Sequence, residues 1–263
     1  MTQRDAAPTI YVASVPTSFP EALRRDASHA IDLARARTQH TGYCDTLRRT
    51  GASVIEISTA TGQPDGVFIE DNALIIGRRA ALLRSAAPSR QGEEQRLVAP
   101  LRAAGLSLAL APPDVIVDGG DCLVSARELI VGRSARTNAR AVEWLSQVFA
   151  PFPVRSVAVP DSLLHLKSGA SDLGDGRLLL DPLFRDRAEE FAGYDAWYVT
   201  PDERPAANCR RIGAHLIIAA GYPRTAALLA QTGLTIEPVE ISEFAKADGS
   251  ISCLSLVPHL ETA

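Results

Sequence analysis

The chain has 263 residues, of which 31 are acidic and 27 are basic, and its formal net charge is −4. All but two of the basic residues are arginines, and no basic block or aromatic-plus-basic stripe occurs, which argues against nucleic acid as a partner. No apolar stretch reaches the roughly 18 residues that a membrane span needs, and the first residues lack the pattern of a signal peptide, so we expect no membrane partner.

Short β-branched and apolar runs alternate along the chain with amphipathic patterns, which is typical of an α/β fold. The predicted strands are Thr9–Ser14, Ser53–Ser58, Gly66–Gly77, Val115–Val117, Leu129–Gly132, Val154–Val159, Leu178–Leu180, Ala196–Thr200, His215–Ala219, Leu234–Val239 and Ser250–Leu256. The predicted helices are Ala27–Arg49, Glu93–Ala104, Asn138–Phe149 and Arg224–Thr232.

The four cysteines are scattered and no two have the C-x-x-C spacing of a zinc or redox site. This pattern favours a cytoplasmic protein with reduced thiols. We therefore expect neither a resident metal nor any other cofactor, and zinc could act only as an inhibitor.

A related half-motif, an apolar run that ends in a polar side chain, recurs along the chain at intervals of 43 to 47 residues. The final residues of the five copies are Asp71, Asp118, His165, Asn208 and Cys253. Five copies of one α/β unit can close into a ring, as the blades of a propeller do, and equivalent positions then face the same axis. The spacing therefore predicts that two carboxylates, an imidazole, an amide and a thiol converge at one place.

These side chains together indicate nucleophilic catalysis. Cys253 could attack an electrophilic carbon, and His165 could move protons to a leaving group and from water. Two carboxylates in one closed pocket repel each other and need a cation, and a planar guanidinium matches carboxylates well. Asp71 and Asp118 therefore favour a guanidinium substrate, whose positive charge would also lower the pKa of the thiol.

The motifs resemble those of the dimethylarginine dimethylaminohydrolase family, which belongs to the guanidino-group-modifying (pentein) superfamily. The resemblance covers nearly the whole chain. It is carried by Phe68-Ile69-Glu70-Asp71, Asp118-Gly119-Gly120-Asp121, Ser134-Ala135-Arg136-Thr137-Asn138, Leu164-His165-Leu166-Lys167-Ser168-Gly169, Ala206-Ala207-Asn208-Cys209 and Asp248-Gly249-Ser250-Ile251-Ser252-Cys253.

The resemblance implies a five-bladed, pseudo-symmetric α/β propeller. Residues 1–263 would form a single catalytic domain of five ββαβ-like repeats, with a mobile N-terminal lid loop near residues 14–24. It implies hydrolysis of Nω,Nω-dimethyl-L-arginine and Nω-monomethyl-L-arginine to L-citrulline, through a covalent cysteine thiouronium intermediate. The partner would be a small methylated arginine, and the protein a monomer or a homodimer.

The resemblance also implies a role for each matching residue. Cys253 matches the nucleophile, His165 the general acid and base, and Asp118 a carboxylate of the catalytic group that, like Asp71, holds the guanidinium. The other matching substrate-binding residues are Glu70, Asp65, Phe68, Arg84, Arg136, Phe19 as the apolar lid residue, and Ala247 through its backbone carbonyl.

Three positions depart from the family pattern. Bacterial relatives often have Glu at the position of Asp118, and Leu is usual at the lid where we assign Phe19. The segment around Arg84 lacks the expected Arg-Pro-Gly run, so Arg90 competes with Arg84 for binding of the substrate carboxylate.

Three alternatives remain open at this stage. An arginine deiminase or amidinotransferase would use similar chemistry, but the relatives of this kind are generally longer. A non-catalytic binding protein could share the fold, although it would not need a thiol. The thiol, imidazole and carboxylates could instead bind zinc.

Overall fold

The computed structural model describes residues 8–259, and these residues form five three-stranded sheets. The strand orders are β3-β4-β5, β6-β7-β8, β9-β10-β11, β12-β13-β14 and β15-β1-β2. The strands are β1 (Thr9–Ala13), β2 (Ser53–Ile57), β3 (Ala73–Ile76), β4 (Arg79–Leu82), β5 (Ser107–Leu110), β6 (Cys122–Val124), β7 (Leu129–Arg133), β8 (Val154–Ala158), β9 (Ala170–Gly174), β10 (Arg177–Leu180), β11 (Asp195–Tyr198), β12 (Cys209–Ile212), β13 (His215–Ala219), β14 (Thr235–Val239) and β15 (Ser255–Leu256).

Each sheet has the same internal pattern, in which the central strand pairs antiparallel with one neighbour and parallel with the other. The antiparallel neighbours β3, β6, β9, β12 and β15 lie toward the axis, where β6 contacts β9, β9 contacts β12, and β15 contacts β3. This arrangement confirms the five-bladed α/β propeller that the repeats predict.

The ring closes between the two ends of the described chain. β15 pairs antiparallel with β1, with Tyr11 opposite Leu256 and Val12 opposite Ser255. β1 in turn pairs parallel with β2. One blade is therefore built from the first two strands and the last strand of the described residues.

Within residues 8–259, five α-helices lie between the strands. They are α1 (Leu33–Arg49), α2 (Val98–Ala103), α3 (Ala139–Phe149), α4 (Pro223–Ala230) and α5 (Ser242–Ala245). The predicted helix from Ala27 begins later, at Leu33, because the side chain of Asp32 caps it by accepting hydrogen bonds from the backbone N–H groups of Ala34 and Arg35.

Apolar side chains of neighbouring blades pack against each other and form the core. In one such cluster, Ile76 of β3 and Val131 of β7 meet the buried face of α3, which carries Leu145 and Phe149. All four side chains are completely buried. Burial of this kind stabilises a core by roughly 25 cal/mol per Å² of apolar surface, so packing between blades holds the ring together.

Several predicted elements differ from the observed ones. Val115–Val117 forms no strand, and the predicted run Gly66–Gly77 contains two 3-10 turns before β3. The predicted helix Glu93–Ala104 is divided into a 3-10 turn over Glu93–Leu97 and the short α2. The sequence patterns predicted no strand at β4, β5, β6, β9 or β12 and no helix at α5.

Candidate active site

The five residues of the repeated motif all lie beside a 3-10 turn that leads into an axial strand. Asp118 and His165 cap the turns Gly119–Asp121 and Leu166–Ser168, Asp71 lies within Ile69–Asn72, Cys253 lies within Ser252–Leu254, and Asn208 follows Arg204–Ala207. The repeats thus bring these residues to the axis as expected. They do not place them at one equivalent position of the turn.

Hydrogen bonds connect each of these turns to the next around the axis. Asp71 Oδ1 accepts a 2.8 Å hydrogen bond from the backbone N–H of Gly120. Asp121 Oδ1 accepts another, also 2.8 Å, from the N–H of Leu166. Asp121 is completely buried, and its second carboxylate oxygen accepts from Ser134 and Thr137. These bonds fix the turns that carry Asp118 and His165.

The same ring continues through Asn208 to the turn of the cysteine. Asn208 Nδ2 donates to the carbonyl of Lys167 at 2.7 Å and to Ser252 Oγ at 2.9 Å, and Asn208 Oδ1 accepts from the N–H of Ser252 at 2.9 Å. Ser252 Oγ then donates to Glu70 Oε2 at 2.7 Å, and this bond closes the ring at the turn Ile69–Asn72. The backbone next to Cys253 is held from both sides by this network.

Glu70 is buried within this ring and does not stand as a free carboxylate. Its Oε1 accepts hydrogen bonds from Lys167 and Arg210. Burial raises the pKa of Glu70, but the charges of Lys167 and Arg210 outweigh burial and leave its pKa below the usual value. Glu70 is therefore ionised, and its hydrogen bonds to Lys167, Arg210 and Ser252 hold the neighbouring turns together.

His165 and Asp118 form the central polar pair of the site. His165 Nε2 lies 3.2 Å from Asp118 Oδ2, and Asp118 is completely buried. Burial lowers the pKa of His165, but the hydrogen bond to Asp118 and the charges of Asp71 and Asp121 outweigh it, so its pKa is raised. Burial raises the pKa of Asp118, but the bond and charge of His165 and the charge of Arg90 outweigh it, so its pKa is lowered. The arrangement favours an imidazolium beside a carboxylate.

Gly120 provides the space that the imidazole of His165 occupies. A Cβ added at Gly120 would lie 2.5 Å from His165 Nδ1 and 2.7 Å from its Cγ. Such distances are shorter than van der Waals contact. Glycine at this position therefore sets where the ring lies relative to the axis.

Cys253 is half-buried and borders two cavities that meet at the axis. Burial raises the pKa of its thiol to about 12, with a further contribution from the charges of Glu70 and Asp71, while Lys167 acts in the opposite direction. The thiol is thus neutral in the unliganded protein, and a cation bound nearby would favour the thiolate.

The first cavity has a volume of about 210 Å³ and contains most of the predicted site residues. Its lining residues are Leu23, Arg24, Arg25, Asp65, Phe68, Asp71, Arg90, Arg136, Leu164, His165, Ala247, Asp248, Gly249 and Cys253. Asp65 and Asp71 supply two buried carboxylates, and Arg90 and Arg136 supply guanidinium groups, of which that of Arg90 pairs with Asp71 at 2.7 Å. The cavity can therefore hold both a cationic and an anionic end of one small molecule.

Phe19 and Arg84 were predicted at this site, but neither lines the first cavity. Phe19 is completely buried and packs against Phe68 and Phe244, with ring centroids 6.0 and 5.2 Å away. Its 3-10 turn directs the ring into the core, and the cavity is bordered instead by the half-exposed Leu23. The structure therefore places Phe19 in the core and Leu23 at the cavity, and the assignment of Phe19 as a lid residue stays a prediction.

The structure places Arg90, the competitor of Arg84, in the cavity. Arg90 is the last residue of the short turn Pro88–Arg90, and its Nη1 lies 2.7 Å from Asp71 Oδ2. Arg84 lies just beyond β4, and its Nε has no hydrogen-bond partner within residues 8–259. Sequence position alone did not separate the two arginines.

The structure also changes the expected partner of Asp71. Asp118 borders neither of the two cavities and contacts His165 and Arg136, whose Nη1 lies 3.4 Å from Asp118 Oδ2. The carboxylate that faces the first cavity together with Asp71 is Asp65. Asp65 accepts a 3.1 Å hydrogen bond from the N–H of Leu23, and burial raises its pKa. Asp118 is thus placed to orient His165, not to hold a bound cation.

The described part of the chain contains no cluster of three or more His, Cys, Asp or Glu side chains arranged to hold a metal ion. A membrane-crossing helix is likewise missing from residues 8–259, since none of the helices there is long and apolar enough. The expectation that the protein needs no cofactor stays a prediction.

Comparison with known proteins supports the class of this site. A dimethylarginine dimethylaminohydrolase of Streptomyces coelicolor is 34% identical over 227 residues, which cover 86% of this chain and 87% of the relative. The solved structure of a Pseudomonas aeruginosa dimethylarginine dimethylaminohydrolase, a cysteine-to-serine variant in complex with citrulline, superposes with a TM-score of 0.90 at 28% identity. It covers 95% of this chain and 99% of that one.

A further likeness concerns the fold alone. The N-terminal domain of the cyanobacterial arginine dihydrolase ArgZ, solved with bound product, has a TM-score of 0.86 at 22% identity and covers 98% of this chain and all of that one. No protein-family model matches the chain. The propeller and its axial site define a pentein-fold hydrolase of amidines. Within that class, the chain belongs to the dimethylarginine dimethylaminohydrolase family.

Proposed function

We propose that this chain hydrolyses Nω,Nω-dimethyl-L-arginine and Nω-monomethyl-L-arginine to L-citrulline and dimethylamine or methylamine. The observation that carries the proposal is that Cys253 and His165 border the same cavity as the buried carboxylates of Asp65 and Asp71. The proposed nucleophile and proton donor thus border the same cavity as two carboxylates that can bind a cation.

The substrate binds in the first cavity with its guanidinium at Asp65 and Asp71, since charge-assisted hydrogen bonds to carboxylates are strong for this planar group. Arg90, which pairs with Asp71, and Arg136, which pairs with Asp118, also border the cavity, and their guanidinium groups can receive the substrate carboxylate. The carbonyl of Ala247 would accept a hydrogen bond from the substrate amino group. The mixed charges of the cavity match an amino acid with a cationic side chain.

Binding of the cation prepares the nucleophile. The positive charge of the guanidinium opposes the burial that holds the pKa of Cys253 near 12, and the thiol proton leaves to solvent. The thiolate attacks the guanidinium carbon and forms a carbon–sulfur bond. Protonated His165, held by Asp118, gives its proton to the departing amine as the carbon–nitrogen bond breaks, which leaves a cationic thiouronium on Cys253.

Hydrolysis of this intermediate restores the enzyme. Neutral His165 takes a proton from water while the oxygen adds to the thiouronium carbon. The carbon–sulfur bond then breaks, and the added oxygen becomes the carbonyl of citrulline as its proton passes through solvent to the departing thiolate, which restores the neutral thiol of Cys253. The amine released in the first stage takes up one proton in neutral water.

The test is citrulline formation by the purified protein with asymmetric dimethylarginine and L-arginine in parallel. We expect citrulline from the methylated substrate, little from arginine, and no turnover by Cys253→Ser with an unchanged circular dichroism spectrum. Citrulline from arginine alone would make the protein a deiminase. Citrulline from neither compound would favour a binding protein, and substantial turnover by Cys253→Ser would remove the cysteine from the mechanism.

A further inference from the structure

A second, larger cavity adjoins the first at Cys253 and His165. It has a volume of about 530 Å³, compared with about 210 Å³ for the first cavity, and both residues border both cavities. It is walled by the turns around Leu163, Pro205 and Tyr222 and by the end of α5 at Ala245. A volume of this size is within the usual range of small-molecule sites.

The charges in this second cavity are matched in pairs. Within the described residues, each Lys or Arg that borders it has an acidic partner that also borders it. The pairs are Arg25 with Asp248 at 3.2 Å, Lys167 with Glu70 at 2.5 Å, and Arg204 with Asp181 at 2.8 Å. Because these charges are already compensated, the cavity favours an uncharged occupant over an additional ion.

The planar shape of a guanidinium determines which part of a bound substrate would lie next to each cavity. The three nitrogens of a guanidinium lie in one plane around its carbon. When two of them bind Asp65 and Asp71 in the first cavity, the third, which is a terminal nitrogen, points away from these carboxylates. This nitrogen must lie beside His165, because His165 protonates it as it leaves. A substituent on the departing nitrogen therefore extends past His165 and Cys253 into the second cavity.

We infer that the second cavity is a subsite for the substituent on the departing nitrogen, and that the chain hydrolyses L-arginines with uncharged Nω-alkyl groups larger than methyl. This inference rests on the proposed function. The bonds that form and break are the same: the carbon–sulfur bond forms, the bond to the alkyl-bearing nitrogen breaks, and His165 supplies the proton of the released alkylamine. Water supplies the oxygen of citrulline, as before.

The test compares Nω-propyl-L-arginine with Nω-monomethyl-L-arginine by citrulline and amine release. A pocket without room penalises each extra methylene by about 10- to 200-fold in kcat/KM. We expect kcat/KM for the propyl compound to lie within about tenfold of the value for the methyl compound. A loss of more than about 100-fold, with normal turnover of the methyl compound, would overturn the subsite while leaving the proposed function intact.

The variant Ala245→Trp tests the position of the subsite. Ala245 is exposed at the end of α5 and borders only the second of the two cavities, so a large ring there narrows it without touching the first. We expect kcat/KM to fall at least about tenfold for the propyl compound and less than about threefold for the methyl compound. The matched control is Ala227→Trp on the exposed face of α4, which borders neither cavity and should change neither value.

Two further outcomes would overturn the inference. Equal losses for both compounds in Ala245→Trp would show that the second cavity does not hold the larger substituent. Absence of turnover for both compounds in the unmodified protein would remove the proposed function, and the subsite with it.

Discussion

Ser252 Oγ donates a 2.7 Å hydrogen bond to Glu70 Oε2, and this bond joins the turn of the cysteine to the turn that carries Asp71. Ser252 immediately precedes Cys253, and Glu70 immediately precedes Asp71. The hydrogen-bonded pair Ser252 and Glu70 thus lies directly beside Cys253 and Asp71. The ring of hydrogen bonds around the axis therefore holds the turns of Cys253 and Asp71 together.

Replacement of Ser252 by alanine would leave a buried oxygen of Glu70 without this donor. We expect Ser252→Ala to lower the free energy of unfolding by about 1–3 kcal/mol, which is the usual effect of an unsatisfied buried polar group. Urea denaturation measures this loss. The control is Ser107→Ala at the exposed start of β5, which should have little effect. Equal stability of the two variants would mean that the ring contributes little to folding.

Gly120→Ala should reduce turnover without unfolding the protein. The added methyl group would lie 2.5 Å from His165 Nδ1, so the imidazole must move away from its position beside Asp118. Because a positioned acid–base group contributes about 10²–10⁴-fold, we expect a loss in kcat of at least about 10²-fold. Steady-state citrulline formation measures it. Gly42→Ala on α1, where nothing lies within 4 Å, is the control and should retain full activity. Unchanged kcat in Gly120→Ala would contradict the proposed role of His165.

Leu23 and Phe19 should respond to truncation in different ways. Phe19→Ala removes a completely buried ring and should lower the free energy of unfolding by about 3–5 kcal/mol. Leu23→Ala removes a side chain that is 42% exposed at the rim of the first cavity, so we expect a raised KM and little change in stability. Denaturation and kinetics on both variants separate the two roles. A raised KM with unchanged stability in Phe19→Ala would support Phe19 as the lid residue.

Alkylation of Cys253 should depend steeply on pH. Because the thiol has a raised pKa of about 12, the reactive thiolate is scarce at neutral pH. As long as the pH stays below that pKa, the thiolate fraction rises about tenfold for each unit by which the pH is raised. We therefore expect the rate of inactivation by iodoacetamide to keep rising between pH 7 and pH 9. Cys253→Ser should resist modification, since Cys44, Cys122 and Cys209 are buried. A rate that levels off at or below pH 8 would contradict the raised pKa.

The repeat spacing indicated a ring of similar units, and the family resemblance implied the five-bladed propeller. The five polar residues recur at nearly constant intervals, and each lies in or beside the turn that precedes an axial strand. Individual strands were harder to find. β4 reads Arg-Ala-Ala-Leu, which has little β-branched or aromatic character, and its pairing with β3 and β5 determines its conformation.

The sequence predicted which residues lie near the axis, but it did not predict what each side chain contacts there. Asp118 and Asp71 end similar motifs, yet Asp118 caps its turn and points to His165, whereas Asp71 lies within its turn and faces the cavity. A shift of one or two positions in a 3-10 turn changes the direction of the side chain, and sequence spacing does not resolve it. Two features of the sequence could have indicated the ring of hydrogen bonds: Ser252 directly before Cys253, and Lys167, one of only two lysines, two residues after His165.

Pairing of β15 with β1 makes the position of Cys253 depend on a contact between the first and the last strand of the described residues. Cys253 lies in the turn that leads into β15, and β15 has no partner strand until β1 is in place. Contacts between such distant segments form late because long loops must close first. A partly folded ring would therefore have its acidic and basic groups in place but no positioned thiol, so chemical reactivity would begin only when the last blade closes.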